Sequence, residues 1–160
     1  MDKIEQQISR VNSLNIWDII LKELEVNSSL IVEMNKIQLL KGKTSKGENI
    51  TPTYFDDDYF KSRGQAVGYA VFKSKLDRNP YFAEKGFGTP DFFIKGTLVH
   101  DMLTAEIVGD EFIIEPKGKG ASFDEKWKDI YGIDDENLGI IREKIFPEMM
   151  KAIRKHLGYD

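Results

Sequence analysis

The chain has 160 residues, 41% of them hydrophobic and 31% charged, which is enough apolar material for one folded core and too much for a disordered chain. It contains no cysteine, so disulfides, thiol nucleophiles and cysteine-based metal sites are excluded. A net charge of -4 argues against broad electrostatic attraction to nucleic acid or anionic membrane, and no apolar run approaches the roughly 20 residues that span a bilayer, so a soluble, non-exported single domain over 1–160 is expected.

The first forty residues carry helical periodicity. Leu14, Trp17, Ile20, Leu21 and Leu24 recur at three- and four-residue steps, with Ser13 as the expected N-cap. After a polar break at Asn27, Ser28 and Ser29, Leu30, Met34, Ile37 and Leu40 form a second stripe, which Gly42 can close in the left-handed conformation. The two stripes belong to one bent helix or to two. The run from Lys41 to Pro52 is small, polar and glycine-rich and reads as an exposed loop, with Lys41 to Gly47 a mobile tip.

Tyr54, Phe55, Tyr59 and Phe60 surround three consecutive aspartates, and a helix is possible around Gln65 to Phe72. Asn79 to Pro90 holds Pro80, Gly86, Gly88 and Pro90 among aromatic residues, and a long aromatic loop is expected there. Phe92 to Ile94 is a short apolar run. Ala105 and Ile107, then Phe112 and Ile114, alternate with polar neighbours on either side of Gly109 and Asp110, the pattern of a β-hairpin. Ser122 with Glu125 three residues later predicts a short capped helix holding Phe123, Trp127, Ile130 and Tyr131, and Gly132 stops it. The last helix is expected from about Asp135 to Leu157, capped by Asp134, ended by Gly158 and kinked at Pro147. These elements predict an α+β fold: a small antiparallel sheet with the hairpin 103–116, packed by N-terminal helices and a long C-terminal helix.

Chemical motifs are few. Lys43 and Thr44 after Gly42 match the end of a phosphate-binding loop, but that motif needs a glycine where Ile37 stands and a strand upstream, so a turn is the simpler reading. His100 and Asp101 resemble the metal-binding dyad of a phosphohydrolase, yet the only other histidine is His156. Pro90 and Asp91, followed by Glu115, Pro116 and Lys117 at the end of an apolar strand, resemble the Pro-Asp…Glu-x-Lys arrangement of a large nuclease superfamily. There, two carboxylates hold Mg²⁺ and the lysine helps activate water. Against it stand the absence of a basic groove and the simpler role of a solvated Glu and Lys at a hairpin end. No serine-hydrolase elbow or dinucleotide fingerprint is present. The aromatic residues from Tyr81 to Phe93 are either a docking surface or core beneath a long loop.

Asn35, Gln38 and Leu39, then Gly42 and the loop Ser45 to Ile50 with Pro52 and Tyr54, come in an order that has a family counterpart. So do Gly96, Thr97, Leu98 and Asp101 before the hairpin, and Tyr131 and Gly132 before the terminal helix. This order resembles the phage virion-morphogenesis, tail-completion or head–tail neck proteins. The resemblance implies a helix leading through a glycine-bearing loop into a sheet crossed by a terminal helix. It also implies a homo-oligomeric ring that joins portal or connector to tail in the virion, is made in the host cytoplasm, and lets DNA pass without sequence-specific binding. It transfers no catalytic, metal or cofactor residue; Gly42, Gly47, Pro52, Tyr54, Tyr81, Phe82, Phe87 and Phe92 are the expected interaction residues. The alternatives are a Mg²⁺-dependent nuclease using Asp91, Glu115 and Lys117, and a non-enzymatic protein-binding adaptor.

Overall fold

The computed structural model describes residues 2–75, 79–92, 103–117 and 122–159. Three helices open the chain: α1 Lys3–Asn12, α2 Ile16–Val26 and α3 Ser28–Leu40. The first break falls at Ser13, which ends α1 rather than starting the next helix. Asn15 is the true N-cap of α2, its side chain accepting hydrogen bonds from the backbone N–H of Trp17 and Asp18. After a loop come α4 Arg63–Lys75, a 3₁₀ turn at Phe82–Glu84, strands β1 Leu103–Val108 and β2 Glu111–Pro116, a single turn α5 Phe123–Lys126 and the long α6 Asp135–Leu157. The fold is α+β, as the sequence predicts. The segment Phe93–Ile94, the Gly96–Leu98 step and His100–Asp101 lie outside the described residues.

β1 and β2 pair antiparallel, with Ala105 opposite Ile114 and Val108 opposite Glu111. Gly109 has φ +66° and Asp110 stays at negative φ, the pattern of a II′ turn with glycine first. Alternation then sends Leu103, Ala105, Ile107, Phe112 and Ile114 to one face and Glu106, Val108, Glu111 and Glu115 to the other. Phe112 and Ile114 pack on a core of Ile31, Ile141 and Ile145, which joins α3 to α6. A second core of Leu39, Ile50 and Ile130 sits at the other end of α3 and takes in Leu103, Phe92, Phe123 and Trp127.

The buried face of α3 differs from the apolar stripe. It consists of Ile31, Asn35, Gln38, Leu39 and Leu40, so two amides occupy core positions. Asn35 Nδ2 donates to the carbonyls of Ile130 (3.1 Å) and Gly132 (2.7 Å), Gln38 Nε2 donates to Gly132 O (3.2 Å), and Gln38 Oε1 accepts from the Asp134 N–H (2.9 Å). These bonds satisfy buried backbone in an irregular stretch and deliver Asp134 to its place as the N-cap of α6, where it accepts from Asn137 N. The expected helix over Phe123 to Tyr131 is therefore only one turn long. Past it, Asp129 (φ +58°) and Gly132 (φ +124°) hold backbone conformations that no helix contains. Pro147 lies within α6, which continues through it to the left-handed Gly158.

The loop after α3 is fastened rather than a free tip. Lys43 N donates to Gln38 O and Gly42 N to Leu39 O, the paired bonds of a Schellman motif with Gly42 at φ +69°. Ser45 N donates to Asp129 O, Lys46 meets the Asp129 carboxylate at 2.6 Å, and Ile50 is fully buried. Gly42 and Gly47 both need positive φ, but only Gly42 is also crowded. A Cβ there would come within 2.7 Å of Thr89 Cγ2 and 3.2 Å of Pro90 O, whereas at Gly47 the nearest side-chain atom is 4.0 Å away. In urea unfolding, Gly47→Ala is expected to cost about 1 kcal/mol for the backbone alone. Gly42→Ala should cost about 1–3 kcal/mol more from the collision, and equal losses would refute this distinction.

Candidate functional site

The greatest concentration of buried charge lies between α4 and the loop 79–92. Asp91, only 2% exposed, meets Lys73 Nζ at 2.5 Å and Lys85 Nζ at 3.4 Å, and both lysine side chains are as deeply buried. Lys73 arrives here because Ala66, Ala70 and Lys73 form the inward face of α4, and the two alanines let the helix approach closely. Lys85 follows the 3₁₀ turn and donates to Thr89 O at 2.5 Å. Asn79 donates to Asp91 Oδ2 (3.2 Å) and to Leu40 O (2.8 Å), tying the cluster to the last turn of α3. Tyr54 and Phe82 roof the cluster, with the Lys85 ammonium 5.8 Å and 4.8 Å from their ring centres.

The electrostatics follow from burial. Desolvation is the largest influence on Lys85 and lowers its pKa; Asp91 opposes that shift and Lys73 adds to it. Desolvation likewise pushes the Tyr54 phenol well above its ordinary value, and the Asp91 carboxylate adds to the rise. A lysine with a lowered pKa beside a carboxylate is the raw material of nucleophilic or base chemistry. Here, though, Lys85 Nζ is engaged by Thr89 O and Asp91, and it sits under aromatic rings. The arrangement does structural work.

Asp91 is also one arm of the nuclease pattern. The structure places it in this ionic cluster, whereas Glu115 is exposed on β2 opposite Thr104 and Lys117 is exposed beyond the strand end. Among the described residues, no group of three or more His, Asp or Glu side chains could hold a metal ion. His156 interacts with Ser13 Oγ and Arg10 O at the end of α1.

The eight expected interaction residues divide unevenly. Gly42 and Tyr54 are buried, and Tyr54 meets Tyr69 edge-on at 4.9 Å. Pro52, which follows a cis peptide bond, is half-buried and its carbonyl accepts from Trp127 Nε1. Tyr81 and Phe82 are half-buried against Lys41 and Lys85. Phe92, at φ +53°, is wedged edge-on between Phe123 and Trp127. Only Gly47 and Phe87 lie open, Phe87 at 56% exposure against Phe55. The aromatic cluster is thus chiefly core beneath a loop.

Exposed apolar surface lies elsewhere, chiefly on α1, whose stripe the sequence reading did not single out. Helix α1 is fixed by its polar side: Arg10 donates to Leu157 O, Gln7 to the Tyr159 hydroxyl, and Ser13 meets His156. Its apolar stripe, Ile4, Ile8 and Val11, is 66%, 55% and 54% exposed. The signal was present in the spacing of these residues, i, i+4 and i+7. Trp17, Phe72 and Phe146 are each about half exposed as well. No described helix is long and apolar enough to cross a membrane. No protein family, curated protein or solved structure matches the chain.

Two outcomes test the structural role of the ionic cluster. Asp91→Ala strands two buried ammonium groups and is expected to cost about 3–5 kcal/mol in denaturant unfolding, while Lys85→Met should cost clearly less. The Tyr54 phenol, raised in the folded state, stabilises the fold fully below the ordinary tyrosine pKa of 10.0 and progressively less as pH rises above it. Unfolding free energy should therefore fall above pH 10, and Tyr54→Phe should flatten that fall; an unchanged slope would remove Tyr54 from the account.

Proposed function

We propose that this chain is a non-enzymatic structural protein that assembles with copies of itself and with other protein chains, as a component of the phage head–tail neck or tail. The observation that carries this reading is the inverted helix α1. An amphipathic helix in an isolated domain turns its apolar stripe to the core. Here the polar side is fastened to the end of α6 and Ile4, Ile8 and Val11 face outward. Exposed apolar patches of this kind mark surfaces that another chain covers.

Two further features support it. The buried ionic cluster is consumed by packing, which leaves Lys73, Lys85 and Asp91 no reach to a substrate. The formal charge of -4 suits a surface past which DNA moves without adhering. The neck or tail assignment itself draws on the resemblance of the loop from Gly42 to Tyr54 and of the element order around the hairpin.

Light scattering coupled to size exclusion, over a wide concentration range, tests the reading. A discrete oligomer is expected, and a strict monomer at every concentration would overturn self-assembly and leave the adaptor reading. Ile4→Gln combined with Ile8→Gln is expected to lower association, or binding to isolated connector and tail assemblies. Because both positions are more than half exposed, unfolding stability should change by no more than about 0.5 kcal/mol per site.

A further inference from the structure

The last three turns of α6 carry Lys151, Arg154 and Lys155, and no acidic residue occurs from Met149 to Tyr159. These side chains border a groove of about 710 Å³ floored by Phe146, Met150 and Tyr159. Among the described residues, Arg154 and Lys155 form no ion pair, and Lys151 meets only Glu148, at 3.7 Å with both side chains largely in water. Arg10 lies beside the groove, because Gly158 leaves room for its guanidinium to reach Leu157 O. The groove therefore combines an apolar floor with a rim of cations.

The hairpin has the opposite character. From Leu103 to Pro116 there is no lysine or arginine, and Glu106, Glu111 and Glu115 share the outward face with Val108, beside Asp110 in the turn. All four carboxylates are exposed, and among the described residues none meets a cation. One copy cannot bring the two surfaces together. The hairpin is seated on Ile141 and Ile145 through Phe112 and Ile114, about six to fourteen residues and so roughly 9–21 Å along α6 from the cationic rim, and its acidic face points away from that core.

We propose that the basic groove at the end of α6 receives the acidic outer face of the β1–β2 hairpin from a second copy of this chain. Carboxylates then meet Lys151, Arg154 and Lys155 while Val108 covers part of the apolar floor. The contact joins two unlike surfaces, so each bound copy still offers one of each to the next, and the contact closes into a ring where the rotation between copies divides a full turn. This inference rests on the self-assembly reading above and names the surfaces that would serve it.

The test uses two charge-reversed full-length chains: one carrying Lys151→Glu, Arg154→Glu and Lys155→Glu, the other Glu106→Lys, Glu111→Lys and Glu115→Lys. Light scattering should find association weakened about tenfold or more in each variant alone, and restored when the two are mixed, because each then presents the complement the other lacks. The native oligomer should also loosen as ionic strength rises from about 0.1 M to about 1 M, over which the screening length falls from about 10 Å to about 3 Å. Rescue on mixing excludes misfolding as the cause of the loss. If the native chain associates and both variants associate equally well, this contact is overturned and self-assembly stands. If both variants dissociate and mixing restores nothing, the pairing is overturned as well. If the native chain is monomeric throughout and its basic end instead retards short duplex DNA, self-assembly and this contact fall together.

Discussion

An ionised carboxylate inside a protein costs several kcal/mol in lost hydration unless opposite charge and hydrogen bonds meet it. Asp91 meets that demand with Lys73 from α4, Lys85 from an irregular loop and the Asn79 amide. Apolar contacts alone would accept several arrangements of a loop rich in proline, glycine and phenylalanine. A buried carboxylate accepts only those that bring both ammonium groups to it, so the cluster gives the loop 79–92 and α4 a single relative placement. Gly42 and Gly88 then become obligatory, because the loop they meet has no freedom to withdraw: Thr89 and Pro90 crowd Gly42, and the Phe55 ring lies against Gly88.

The other end of the molecule depends on α3 in the same way. Asn35 and Gln38 act as backbone surrogates, pairing the carbonyls of Ile130 and Gly132 and the N–H of Asp134 where no regular element could. Helix α6 begins where that pairing ends, and its inner residues Ile141 and Ile145 close over Ile31 and the hairpin. One helix thus supports a charged module at its C-terminal end and a hydrophobic one along its earlier turns.

What was legible in the sequence follows from the range of the interactions. Asp134, Gly158 and the turn at Gly109 are local signals, and the elements they bound lie where the spacing puts them. The face of α3 was displaced because its core positions include two amides, which no apolar periodicity can reveal. The helix expected at Phe123 to Tyr131 failed for a related reason: tertiary bonds from α3 and from Ser45 draw the backbone of 129–132 out of helical geometry. The ionic cluster was invisible because Lys73, Lys85 and Asp91 carry no motif, and Asp91 read equally well as half of a catalytic pattern. Of the aromatic residues expected to face partners, Tyr54 and Phe82 roof that cluster and Phe92 packs against Trp127, while Ile4, Ile8 and Val11, inside a segment recognised only as helical, face outward.

Helix α1 also has a temporal aspect. Its side-chain bonds from Gln7, Arg10 and Ser13 reach residues 143 to 152 positions away, all near the end of α6. During synthesis, those anchors emerge from the ribosome long after α1 itself, because α6 is the last element of the chain. The outward stripe of α1 therefore stays unmoored until the rest of the domain has closed. The placement of α1 on the end of α6 is thus a late event, set by the order in which the parts of the chain are made.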